Sequence, residues 1–199
     1  MRWHKLISAF LHPIVMPTVG ILLYLIFSDF RFSKEQKLTL LAIIFIATYV
    51  IPILLLIILK AIGAIKNYKA ATIEERKIPL LFMIVLFFFI GKTLNETHVT
   101  REISFLFYGT SLGLSLVYLL FINKTKTSLH LLSMGSAVGF FLLFQQIHST
   151  NILPLIIILI ILSGVLASSR LHLKAHTSKE VYFGFFIGVI CQFLAFYIF

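Results

Sequence analysis

Charge is what this sequence has least of. Only 12% of its 199 residues are Asp, Glu, Lys or Arg, whereas a soluble domain carries about a quarter. That scarcity excludes an ordinary soluble globule and a disordered chain, and also a nucleic-acid binder built on a solvated basic face. Acidic side chains are scarcest, 7 against 17 Lys and Arg, and no pair of them is spaced to hold a divalent ion. Cysteine is nearly absent. The single thiol, Cys191, lies inside an apolar run, so no internal disulfide can form and the side chain reads as packing or lipid contact.

What is there is hydrocarbon. Hydrophobic residues make up 60% of the chain and the mean hydropathy is +1.05. A spanning helix needs about 20 apolar residues, and the sequence supplies that length repeatedly. Seven apolar segments fall near residues 6–27, 38–59, 78–94, 103–122, 128–147, 152–167 and 181–199. The fold class expected is all-α: one polytopic transmembrane bundle of six to seven spanning helices, a single domain over residues 1–199. The first segment reads as a retained helix, because it lacks a small-residue cleavage site and another span follows. Pro13 and Pro17 within it predict a kink, or a dip into one leaflet only. Gln145 to Asn151 divides the long uncharged run from Thr127 into two spans, with Pro154 in the first turn of the second, where a missing N–H costs nothing.

Helix parity sorts the loops. Those near residues 60–77, 123–127 and 168–179 share one face, and with Arg2 and Lys5 that face holds 12 of the 17 Lys and Arg. By the positive-inside rule the basic face is cytoplasmic.

The seven histidines divide accordingly. His4 and His12 open the first segment and read as head-group or capping residues. His98 reads as a solvated loop residue near Glu96 and Glu102, and His148 belongs to a turn on the opposite face. His130, His172 and His176 lie on the basic face among cations. Such neighbours repel a metal ion, so no metal or cofactor is expected; cations with neutral imidazoles suit an anion.

Three strings carry that chemistry. Lys69 and Arg76 are separated by six residues, with Pro79 opening the next helix. Thr127-Ser128-Leu129-His130 opens the fifth apolar segment, with Ser128 as N-cap and free N–H groups that favour a phosphate. Ser169-Arg170 is followed by His176 and Glu180; a helix beginning near Thr177 puts His176 and Glu180 one turn apart, so the carboxylate holds one imidazole nitrogen.

These strings resemble, in order and spacing, the three signature motifs of the type 2 phosphatidic acid phosphatase superfamily of integral-membrane lipid phosphatases. The family's first motif is Lys, six residues, Arg-Pro; here the proline stands three residues after Arg76. Its second is Pro-Ser-Gly-His; Ser128 and His130 are kept while Thr127 and Leu129 replace Pro and Gly. Its third is Ser-Arg, five residues, His, three residues, Asp; Ser169, Arg170 and His176 match, with Glu180 in place of Asp. The resemblance covers residues 69–188. It implies hydrolysis of a phosphomonoester or pyrophosphate on a lipid of the undecaprenyl pyrophosphate, phosphatidic acid, phosphatidylglycerol phosphate or lipid A type. His176 is then the nucleophile of a phosphohistidine intermediate, Glu180 its orienting partner and His130 the proton donor. Lys69, Arg76, Ser128 and Arg170 become phosphate ligands, and the partners are the lipid substrate and surrounding membrane lipids.

Two other readings stay open. The altered second motif fits a catalytically impaired member that binds lipid phosphate. A small transporter is the weaker alternative, since transporters place ionisable groups inside their spans and here the mid-span positions are nearly all apolar. Orientation also carries two arguments. The Lys and Arg count puts the motif face in the cytoplasm, whereas the resemblance implies the outer face of a bacterial inner membrane.

Overall fold

The computed structural model describes residues 2–28, 32–68 and 72–199. Among these, helix accounts for 81% in eight helices, with no strand. They are α1 (Arg2–Phe10), α2 (Met16–Phe27), α3 (Lys34–Ala61), α4 (Ile73–Asn95), α5 (Arg101–Ile122), α6 (Leu129–His148), α7 (Leu153–His172) and α8 (Ser178–Ile198). The six from α3 to α8 are each long and apolar enough to cross a membrane. Their outer rows, such as Leu54, Ile57 and Ile58 on α3 and Ile157, Ile158 and Ile161 on α7, are exposed hydrocarbon. A chain built this way is stable only with lipid around it: it is a multi-pass membrane protein.

The first apolar segment breaks at its prolines. Pro13 lies in the turn after α1, and Pro17 occupies the first turn of α2, where no N–H is needed. At 12 residues, α2 rises only about 18 Å, less than a bilayer core. It nevertheless reaches the far end of the bundle, where the Tyr24 hydroxyl donates to Glu102 Oε2 at the start of α5 (3.2 Å). The chain thus begins on the face of the basic loops, crosses by α2, and returns by α3. Just before Pro52, α3 widens to a π turn over Ile46–Val50, which relieves the clash of the proline ring with the preceding turn.

α4 starts earlier than the sequence pattern indicates. Its opening is Ile73, not Pro79, because Thr72 and Glu75 form a reciprocal capping box. Pro79 therefore sits inside the helix. The extension carries Arg76 on the helix itself and makes α4, at 23 residues, long enough to span a membrane.

α5 and α6 are innermost. The turn around α6's start is pinned to α8: the Ser128 N–H donates to the Glu180 carbonyl (3.1 Å). Gly184 and Gly188 let α8 lie directly on the backbone of α6, since a Cβ at either would overlap the Ser128 or Leu132 carbonyl oxygen. Small residues permit such approach where lipid offers no hydrophobic drive to bring helices together.

Candidate active site

A cavity of about 240 Å³ opens on the basic face between α2, α3, α4, α5 and α6. Its mouth carries His12, Arg76, His130, Arg170 and His176. Below these the wall is mostly apolar, with Met83, Phe87, Leu106, Phe107, Phe140 and Phe141, interrupted by Thr110, Ser133 and Ser136. From His130 to Phe141 is 11 residues of α6, about 16 Å at the helical rise, or half the thickness of a hydrocarbon core.

His176 stands in the turn between α7 and α8. Thr177 caps α8 by accepting from the Glu180 N–H, which fixes the first turn and brings the Glu180 carboxylate under the ring. His176 Nδ1–H donates to Glu180 Oε2 at 2.6 Å, a charge-assisted bond that sets the tautomer and leaves Nε2 with a free lone pair. The side chain is only 2% exposed. Burial holds His176 below its ordinary value; the bond to Glu180 pulls upward, and the charges of Arg170 and Arg76 push it down again. The neutral ring is the form that can attack an electrophile.

Arg170 ends α7 on the cavity wall, and its Nε is enclosed without a hydrogen-bond partner among the described residues. A buried cationic donor left unmet is costly, and an anion in the cavity would satisfy it. Arg76 faces the same cavity from α4. Together these put two guanidiniums and an oriented imidazole on the wall of one largely apolar chamber.

The remaining expected residues are placed differently. Lys69 lies outside the described residues. Ser128 does not line the cavity: it is fully enclosed, its hydroxyl makes no capping bond, and its backbone ties α6 to α8. Ser128 stands at the N-cap of α6 as expected, but its hydroxyl makes no hydrogen bond to the first turn, so the expected side-chain capping bond is corrected. His130 is on the wall, but Nε2–H donates to the Ser8 carbonyl at 3.2 Å, so a segment outside the three strings holds it. His172 faces away and stacks on His4, with ring centroids 4.0 Å apart. His4 Nδ1 also bonds Ser169 Oγ (3.2 Å), whose proton goes to the Val165 carbonyl.

The sequence reading missed the N-terminal contribution altogether. His12 reads as a head-group residue by position, yet it lines the cavity edge-on to His130, with centroids 5.0 Å apart. The only signal for it was the Pro13–Pro17 break, which turns the chain inward there. On the opposite face Glu102 pairs with His148 Nε2 at 2.8 Å, where sequence proximity grouped it with His98. Comparison with protein-family models, with curated proteins and with solved structures finds no match.

Proposed function

We propose that this chain is an integral-membrane lipid phosphatase of the type 2 phosphatidic acid phosphatase kind, in a bacterial inner membrane. The observation that carries the reading is the His176–Glu180 hydrogen bond at a largely apolar chamber that Arg170, with its unmet Nε donor, also lines. In this reading a lipid phosphate seats its head group between Arg76 and Arg170 and its first carbons in the chamber. His176 Nε2 attacks phosphorus, forming an N–P bond as the P–O bond to the leaving group breaks. Glu180 holds the imidazolium that develops. The guanidiniums neutralise charge on the equatorial oxygens, so the chemistry needs no metal ion. His130, whose Nε2–H is held by the Ser8 carbonyl, keeps a bare Nδ1 that takes a proton from the water that releases phosphate; it carries no proton for the departing oxygen, which is protonated from solvent instead of by the expected His130 donor.

The rival reading is a protein that binds lipid phosphate without turning it over, and the withdrawal of Ser128 from the cavity favours it. Phosphate release from a panel of lipid phosphates, by detergent-solubilised protein in excess EDTA, separates the two. The phosphatase reading expects release that vanadate inhibits and that His176→Ala lowers by several orders of magnitude. Activity that disappears with chelator and returns with Mg²⁺ or Zn²⁺ refutes the mechanism. Binding without release from any lipid in the panel selects the rival.

A further inference from the structure

We infer that His12, supplied by the turn between α1 and α2, is a phosphate-binding residue of this site and donates Nε2–H to an oxygen of the bound phosphate; the inference rests on the phosphate-site reading above. None of the three sequence strings contains it.

Four observations bear on His12 independently. It is on the cavity wall with Arg76, His130, Arg170 and His176. Its ring meets His130 edge-on at 5.0 Å, so the two imidazoles are held as a unit. The Ile14 N–H donates to His12 Nδ1 at 3.3 Å, which assigns the ring proton to Nε2. Burial, and then the charge of Arg170, lower its pKa, so the ring stays neutral and acts as a hydrogen-bond donor without adding a third full charge to the mouth.

The segment around it is built to hold that position. Ser8, one turn before His12, is buried and presents its carbonyl to His130. His4, one turn earlier, stacks on His172 and bonds Ser169, the neighbour of Arg170. Two turns of α1 and the turn that follows it thus meet the site or the residues beside it, while Trp3, Leu6 and Phe10 are exposed. An N-terminal strap that served only as a membrane anchor would have no reason to present a tautomer-fixed imidazole to the cavity.

The test is a titration of the full-length detergent-solubilised protein with inorganic phosphate at constant ionic strength, followed by thermal shift. His12→Phe keeps an aromatic ring against His130 and removes the donor; His12→Gln keeps an N–H donor. Phosphate affinity should fall about 10-fold to 100-fold in His12→Phe, the usual effect of losing a bond to a charged acceptor, and stay within about threefold of wild type in His12→Gln. Phosphate affinity in His12→Phe equal to wild type overturns the inference. Equal losses in both variants, with the ligand-free melting temperature lowered in both, also overturn it, since that pattern means the turn and not the donor matters. Wild-type protein that binds no phosphate overturns it as well. Wild-type protein that binds phosphate but hydrolyses no lipid phosphate defeats the phosphatase reading alone, and the two variants still decide His12.

Discussion

Replacing Gly184 by alanine tests whether the site depends on the contact between α6 and α8. An added Cβ would overlap the Ser128 carbonyl oxygen and crowd the Leu132 N–H behind it. Both are helix backbone, so no side-chain rotation relieves the clash. Restoring an ordinary carbon–oxygen approach moves α8 away by on the order of 1 Å. The Ser128 N–H to Glu180 carbonyl bond, 3.1 Å in the native protein, is then beyond hydrogen-bonding range. Losing it costs about 1 kcal/mol, and overpacking adds about 1–3 kcal/mol. The sum, about 2–4 kcal/mol, corresponds to a fall in melting temperature on the order of 5–10 °C for a chain of this size. Because Glu180 is one turn from Gly184 on α8, phosphate release at temperatures where the variant stays folded should fall as well. Gly164→Ala is the control: nothing lies within 4 Å of a Cβ at that exposed position on α7, and the helix gains propensity. Thermal unfolding of the two variants in one detergent compares them directly. If Gly184→Ala melts with wild type, or no lower than Gly164→Ala, the close packing described between α6 and α8 is wrong.

Three further outcomes are expected. Glu180→Gln should lower turnover about 10-fold to 100-fold through loss of a charged hydrogen bond. Protonation of His176 abolishes attack, so the rate falls as pH drops through a pKa below the ordinary histidine value. Since Glu180 raises that pKa, its removal should move the acid limb of the pH–rate profile further down, and an upward shift counts against the pairing. Arg170→Lys should weaken inorganic phosphate binding about tenfold despite keeping the charge, because a planar fork is replaced by a point charge; exposed Lys66→Ala and Lys124→Ala should leave it unchanged, and equal effects in all three would refute the assignment of Arg170. Single cysteines at Lys66 and Ser149, in a chain lacking Cys191, should differ in labelling by an impermeant reagent in intact cells, with Lys66 reactive if the site faces outward. Labelling of both would break the topology, and labelling of Ser149 alone would place the site in the cytoplasm.

The membrane class of this protein is written in composition, because hydrocarbon length and charge scarcity act locally and need no tertiary knowledge. The break at Pro13 and Pro17, the start of α7 at Pro154 and the one-turn spacing of His176 and Glu180 were legible for the same reason: proline chemistry and helical periodicity are short-range. Even within that range the capping box of Thr72 and Glu75 outweighed Pro79 as the start of α4, since two satisfied backbone donors define a helix end better than a tolerated proline does. Everything that depends on which helices touch belonged to the tertiary structure. Ser128 reads as the start of α6 in sequence, and only the close approach of Gly184 and Gly188 shows that its backbone also joins α6 to α8. Glu102 finds His148, 46 residues away, and not its neighbour in the loop. His12 enters the cavity through a fold-back of more than 100 residues onto His130, a distance over which spacing in the chain carries no information about where a side chain ends.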